Sequence, residues 1–234
     1  MNRVFAIIPT LNAAAGLPGT LHGLVEAELS DLSMSWLVAD AGSTDATLEI
    51  ARSAGCQIIA GAHGRGAQLA AGVAAARRQL EATDWLLFLH ADTVLSPGWS
   101  RVAKAFMDDP ARVEQAGFFR FALDDTCLRA RLLERAVNWR CRMLGLPYGD
   151  QGLFIRVDFH DRLGGFKPWP LFEDVDMVRR IGKHRLVPLP IRAVTSAERF
   201  RREGYGRRSA KNLVLLARYA LGAHPTELAK AYRS

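Results

Sequence analysis

The sequence predicts an α/β fold: a mostly parallel sheet with helices on both faces, followed by basic C-terminal helices. Three observations predict it. Short apolar runs alternate with helical patterns through the first half of the 234 residues. Polar and charged residues cluster just after those runs. A strongly basic, amphipathic stretch lies near the end of the sequence. Alternation of this kind carries the chain from strand to parallel strand through crossover helices, which must cover the faces of the sheet.

The elements follow in order. VFAII (Val4–Ile8) reads as a buried first strand. Leu17, Leu21, Leu24, Val25 and Leu29 then recur at helical spacing and form one apolar stripe. WLVA (Trp36–Ala39) is the second strand. Gly42, Ser43 and Thr44 supply a turn and an N-cap, and Asp45 suits a first helical turn. CQIIA (Cys56–Ala60) is the third strand, and Gly64 and Gly66 precede an alanine-rich helix from about Ala67 to Leu80. WLLFL (Trp85–Leu89) is the fourth. Further on, Glu114–Leu123 reads as strand, Thr126–Arg142 as a basic helix and Gly149–Arg156 as strand again. LGGFKPWP is a loop. EDVDMVRRIG opens a helix with three carboxylates and an apolar face of Val175, Val178 and Ile181. Gly206–Leu221 reads as a basic amphipathic helix.

Composition narrows the class. Apolar residues make up 49% of the chain, enough for a sizeable core. The expected organisation is one domain over 1–196 and a basic helical extension over 197–234. Cys56, Cys127 and Cys141 are far apart and odd in number, which argues for free thiols in a reducing compartment. The first residues meet Pro9 and a polar turn too early for a signal peptide. No apolar run reaches the roughly 18 residues of a membrane span. The expected location is cytoplasmic. Of the formal net charge of +7, the stretch Glu198–Arg218 holds +5, from seven Lys/Arg against two Glu. Such a patch attracts phosphate or anionic lipid. It lacks the interleaved aromatics of a nucleic-acid surface, apart from Phe200 and Tyr205.

In parallel sheets ligands bind beyond the carboxyl ends of the strands. Thr10 and Asn12 follow the first strand, Asp40 the second, His63 and Arg65 the third, His90 and Asp92 the fourth. One polar strand end is ordinary capping; four in succession point to a site. Asp92 is placed to hold a hard cation such as Mg²⁺ or Mn²⁺, with positions left for substrate phosphates; the bland reading is a cap before Pro97. Asp40 suits a ribose or base contact. Asp45 suits capping. Arg65, among Gly61, Gly64 and Gly66, suits a phosphate. Glu173, Asp174 and Asp176 crowd one helix start, more than capping needs, and one of them could act as general base on an alcohol. Tyr148, Asp150 and Gln151 could hydrogen-bond a polyhydroxyl acceptor and Trp169 could stack on a sugar, though each is equally an ordinary loop anchor. His22, His160, His184 and His224 show no ligand spacing.

Taken together, these residues resemble glycosyltransferase family 2, inverting nucleotide-sugar transferases of the Rossmann-like GT-A fold. IIPTLN is similar to the family's first-strand motif, which places Pro9, Thr10 and Asn12 at the donor. VADAGSTD resembles V-D-D-G-S-T-D, with Asp40 on the nucleoside-contacting aspartate and Ala39 in place of the first. GRGAQLAAGVAAA resembles G-[KR]-x-x-A-x-N-x-G, with Arg65 on the basic position and Gln68 and Ala70 departing from it. HAD stands at the D-x-D place: Asp92 matches the metal aspartate, while His90 replaces the first acid and Ala91 lies between them on the donor side. FEDVDMVRRI is similar to E-D-x-D-L-x-x-R, where Asp174 falls on the general base and Glu173 beside it. YGDQGLFIR resembles the acceptor-side strand. The likeness covers about residues 3–185, and LFLHADT and YGDQG look most like a bacterial branch labelled arsenosugar-biosynthesis-related.

The resemblance implies a metal-dependent inverting transfer from a nucleotide-diphosphate sugar to a hydroxyl acceptor, small or lipid-linked. Asp174 is the catalytic base. Pro9, Thr10, Asn12, Asp40, Arg65, His90 and Ala91 meet the donor, Asp150, Gln151, Trp169 and Glu173 the acceptor, and Asp92 holds Mn²⁺ or Mg²⁺. Two other classes stand beside it. A nucleotidyltransferase needs a basic glycine-rich loop after the first strand, and PTLNAAAGLPG has no basic residue. A nucleotide-sugar-binding module without turnover would accommodate His90 at an acid's place. The C-terminal arginines Arg201, Arg202, Arg207 and Arg208 with Lys211 could dock on anionic lipid beside Leu213, Val214, Leu215 and Leu216, or those leucines could pack on the domain.

Overall fold

The computed structural model describes residues 3–25 and 32–233; Leu29 of the apolar stripe lies outside them. The first half builds the expected layers. Strand β1 (Val4–Thr10) pairs in parallel with β2 (Met34–Asp40) and β4 (Trp85–Phe88), and β2 with β3 (Gln57–Ala60). The crossovers run through helices α1 (Leu17–Val25), α2 (Thr47–Ser53) and α3 (Arg65–Ala76). Helix α3 starts two residues before the expected point and ends at Ala76, with a 3₁₀ turn over Arg77–Gln79.

Beyond β4 the chain departs from simple alternation. Strand β5 (Thr93–Leu95) and helix α4 (Trp99–Asp108) follow, then β6 (Ala116–Leu123), helix α5 (Leu128–Leu144), β7 (Leu153–Arg156) and α6 (Val157–Arg162). Residues Gly149–Gln151 form a 3₁₀ turn, so the strand expected from Gly149 starts at Leu153. Helix α7 (Glu173–Ile181) leads to β8 (Leu186–Thr195) and to α8 (Glu198–Glu203), α9 (Tyr205–Ala220) and α10 (Pro225–Arg233). The eight strands stand in the order β3-β2-β1-β4-β7-β6-β8-β5. Pairs β4–β7, β6–β7 and β5–β8 are antiparallel, and β6–β8 is parallel. The sheet is therefore parallel through β4 and mixed beyond it.

Side chains alternate across the pleat, so each strand feeds two cores. Ala6, Ile8, Leu87 and Phe154 face one cluster, filled by Leu17, Leu21 and Leu24 of α1 and Trp99 and Ala103 of α4. Phe5, Ile7, Leu86 and Ile155 face the other, under Leu69 and Val73 of α3 and Val178 and Ile181 of α7. Gly72 explains how closely α3 lies: a Cβ there would stand 2.6 Å from Cγ2 of Ile7. Glycine costs about 1 kcal/mol in a helix relative to alanine, and here it lets α3 lie against β1.

A third cluster joins Leu171, Phe172 and Val175 to Leu215 of α9 and Leu228 and Ala229 of α10. Leu215 is buried and Leu216 packs beside it, while Leu213 and Val214 stay exposed. Packing on the domain therefore accounts for half of this leucine run. All three cysteines are free. No helix among the described residues is long and apolar enough to cross a membrane.

Candidate active site

The ends of β1 and β2 are tied into one rigid loop pair. Asp40 is 1% exposed. Its Oδ1 accepts from Thr10 Oγ1 (2.7 Å) and Ser43 Oγ (2.6 Å), and its Oδ2 from the backbone N–H groups of Gly42 (2.9 Å) and Ser43 (2.7 Å). Burial raises its pKa, but the Ser43, Thr10 and Gly42 donors outweigh burial and hold it below the usual carboxylate value. Asn12, left-handed at φ 49°, accepts from Thr44 N at 2.9 Å through Oδ1. Gln68 of α3 donates to the carbonyls of Thr10 (2.8 Å) and Ala39 (2.6 Å). A carboxylate has about four acceptor sites, and donors of the two loops occupy all four on Asp40. Thr10 is spent in the same network. Asp45 accepts from Thr47 N at 3.0 Å just ahead of α2, as a capping residue would, although Ala46 takes the N-cap position.

The cleft opens beside this network. Arg65, His90, Asp92, Tyr148, Asp150 and Asp174 line it, together with Thr195, Arg199 and Arg208 from the C-terminal side. Five expected site residues, Arg65, His90, Asp92, Asp150 and Asp174, therefore meet in one place. Pro9 and Glu173 lie on a small apolar pocket that shares His90 and Asp174 with the cleft.

Arg65 is the hub. Its Nε donates to Glu173 Oε1, its Nη2 stands 3.5 Å from Asp174 Oδ2, and its Nη1 lies 3.2 Å from His90 Nε2. Burial works against its charge, but Glu173 and Asp174 outweigh burial and hold its pKa above the ordinary arginine value. Burial first, then the charges of Arg65 and Arg199, keep His90 well below its usual pKa. A neutral His90 accepting from Arg65 through Nε2 orients the guanidinium, and its ring lines the cleft.

Asp174 is held by the backbone N–H groups of Gly149 to Oδ2 (2.8 Å) and Val175 to Oδ1 (2.8 Å). Phe172, just before α7, has φ 63°, a rare value for a bulky residue, and stacks on Tyr219 at 4.8 Å. That turn sets Glu173 and Asp174 on Arg65. Asp176 pairs elsewhere, with Lys167 (2.7 Å) and Arg180.

Asp150 is the least satisfied acid. Its Oδ1 is sealed from solvent with no hydrogen-bond partner among the described residues. Burial, opposed by Arg140 and reinforced by Asp174, pushes its pKa up to about 6. Tyr148, at the head of the same turn, has Arg140 3.6 Å above its ring.

Four other expected site residues make contacts within the protein. Gln151 is fully buried, donating to Phe119 O (3.1 Å) and accepting from Cys141 Sγ (3.0 Å), so it braces the turn. Glu173, fully buried with Oε2 unpartnered among the described residues, holds Arg65. Burial raises its pKa against the pull of Arg65. Trp169 packs edge-on against Tyr219 and His224, and its carbonyl accepts from Gly66 N at 3.0 Å. A Cβ at Gly66 would stand 2.2 Å from Lys167 O, so the glycine admits the chain's own loop. Ala91 is buried, and a Cβ at Gly16 would stand 2.8 Å from its carbonyl oxygen.

Asp92 is exposed in the cleft, with Thr195 Oγ1 donating to it at 3.4 Å. A hard dication that keeps places for phosphate oxygens needs only one or two protein carboxylates, and Asp92 suits that. Among the described residues no three His, Cys, Asp or Glu gather into a metal cage. The donor set thus fits an ion completed by a bound diphosphate. Arg199 was not singled out by the sequence reading. It lines the cleft from α8, exposed and without an ion pair among the described residues. Its one sequence signal is the basic run that follows β8.

Comparisons with known proteins bear on this site. The sequence pattern of one family, described as Glycosyl transferase family 2, matches residues 5–162. No curated protein sequence matches. Among solved structures the chain is similar to S. aureus TarS 1-349, at 15% identity and TM-score 0.62, over 83% of this chain and 60% of that one. It is similar to the mannosyltransferase PcManGT from Pyrobaculum calidifontis, solved with GDP-Man and Mn²⁺, at 19% identity and TM-score 0.62, over 96% and 66%. It also resembles glucosyl-3-phosphoglycerate synthase from Mycobacterium tuberculosis, at 16% identity and TM-score 0.53, over 83% and 71%. At such identities these likenesses show the shared GT-A fold. The chain spans about three fifths of the length of TarS 1-349.

Proposed function

The chain belongs to glycosyl transferase family 2, and we propose that it transfers a sugar from a nucleotide-diphosphate sugar to a hydroxyl acceptor with inversion. The observation that carries the reading is one cleft lined by Asp92, Asp150, Asp174 and Arg199, which has no ion pair among the described residues. Asp174, fixed by two backbone donors and facing Arg65, takes the proton of the acceptor hydroxyl. The oxygen attacks the anomeric carbon as the bond to the diphosphate breaks on the opposite side, and a single in-line displacement inverts that carbon. Asp150 and Tyr148 orient the acceptor.

Arg199 binds the departing diphosphate, a role for which it is better placed than Arg65, which is already committed to three partners. A Mn²⁺ or Mg²⁺ ion on Asp92 would supply further neutralisation of that leaving group. Pro9, Thr10, Asn12 and Asp40 shape the wall on which the nucleoside lies. The sheet and α1–α7 form the transferase domain, and the segment from 197 on closes its cleft. We place the enzyme in the cytoplasm, on a peripheral seat at an anionic membrane.

The test is transfer from a panel of nucleotide sugars by Asp174→Asn. Loss of a positioned general base is expected to lower kcat by roughly 10²–10⁴-fold, with donor affinity nearly unchanged. Parental turnover in that variant would overturn the base assignment.

A further inference from the structure

A second surface, sharing no lining residue with the catalytic cleft, lies between α5, β6 and β8. We propose that it is an interfacial docking surface for a bilayer containing anionic phospholipid. It rests on charge and apolar exposure, independently of the transfer reaction.

The charge is built into the sheet. Between Phe119 and Arg120 the register of β6 on β8 jumps from Leu189 to Arg192, passing over Pro190 and Ile191. Bulges of this kind re-aim side chains. The jump sets Arg120 in register with Arg192 on the adjacent strand. Like charges directly opposite one another are destabilising. Neither arginine has a carboxylate partner among the described residues, and both line the groove. Arg135, Arg142 and Lys183 line it too, again without ion pairs among the described residues. The groove's one acid, Glu134, is neutralised by Arg131 and accepts from Leu123 N at 2.7 Å.

The apolar part is on α5. Ala130, Leu133, Val137 and Cys141 pack inward. Leu128, Leu132, Trp139 and Met143 stand at i, i+4, i+11 and i+15, on one face of the helix, and all four are exposed, Trp139 at 62%. The helix carries five arginines against one glutamate. An apolar stripe beside unneutralised cations is the signature of a helix lying in a lipid headgroup layer. The α9 surface is the weaker candidate. Around it Arg208 and Arg202 pair with Glu203, and Arg201 with Asp124. Directly after Trp139, Arg140 and Cys141 hold Tyr148 and Gln151. A chain seated through α5 therefore has its acceptor-side turn next to the bilayer.

The test is co-sedimentation of the full chain with phosphatidylcholine vesicles, with and without phosphatidylglycerol. Binding is expected only with the anionic lipid. The double variant Arg120→Gln/Arg192→Gln is expected to weaken it by about tenfold or more, and Trp139→Ala by about fivefold. Arg120→Lys/Arg192→Lys should retain binding, and Arg207→Gln/Arg218→Gln on α9 should change it less than about twofold. Unchanged melting temperatures and transfer to a soluble acceptor would show that the variants are folded and active. Equal binding to neutral vesicles, parental binding by the Gln and Ala variants, loss through the α9 pair instead, or capture of single-stranded RNA in place of vesicles would each overturn the proposal.

Discussion

Two regions a few residues apart in the sheet treat their acids differently. At the ends of β1 and β2, Asp40 receives four hydrogen bonds and Asn12, Thr10 and Gln68 are bound into the same network. Across the cleft, Asp150 and Glu173 keep a sealed oxygen with no partner among the described residues, and Asp92 faces solvent. The first region has spent its polar groups on shape. The second holds them in reserve, at a cost, since a buried unsatisfied polar atom is worth about 1–3 kcal/mol of destabilisation. Location at a strand end is therefore insufficient to make an aspartate catalytic; what matters is whether the chain itself has filled its lone pairs.

The largest way to probe this contrast is Arg65→Met. It strips the buried Glu173 of its one cation among the described residues, and leaving a buried carboxylate unpaired costs about 3–5 kcal/mol. Chemical denaturation should read a loss of that size. A loss below about 1 kcal/mol would show that the hub is not the clamp we describe.

Asp150→Asn should move stability the other way. The folded pKa of Asp150, about 6, lies above that of an unfolded carboxyl. The folded state thus keeps a proton that the unfolded chain releases, and stability falls as pH rises from about 4 through 6. Removing the group should stabilise the protein above pH 6, by as much as about 3 kcal/mol, and leave it unchanged near pH 4. Melting curves of both proteins at the two pH values check the sign.

Asp40→Asn is expected to cost about 2 kcal/mol, because an amide cannot accept all four bonds. Thermal unfolding would sharpen the contrast if Asp92→Asn left stability unaltered. The smallest effect is expected from Arg199→Gln. Donor affinity should fall about tenfold, the worth of one charge-assisted contact, with no change in melting temperature.

Much of the sheet was legible because β1, β4 and the end of β2 are buried apolar runs, and the half-buried edge strand β3 still carries Ile58 and Ile59. The later strands were harder. β5 is three residues long, and β8 carries Pro188 and Pro190, which disguise it as loop. The cleft residues Arg65, Asp92 and Asp174 were found by their places after strands and at a helix start, and Asp150 by its polar neighbours Tyr148 and Gln151. The partners of Asp40, Gln151 and Glu173 were not legible, because saturation by Ser43, a bond to Phe119 and pairing over 108 residues with Arg65 are tertiary facts. Arg199 was hidden among its basic neighbours, and only folding of α8 over the cleft distinguishes it.

The most direct measurement is calorimetric binding of nucleotide-diphosphate sugars with Mn²⁺ and with chelator, for the parent and Asp92→Asn. If the cleft holds a diphosphate through an ion on Asp92, Mn²⁺ tightens donor binding by at least about tenfold in the parent and has no effect in the variant. Equal Mn²⁺ enhancement in both proteins would contradict the account.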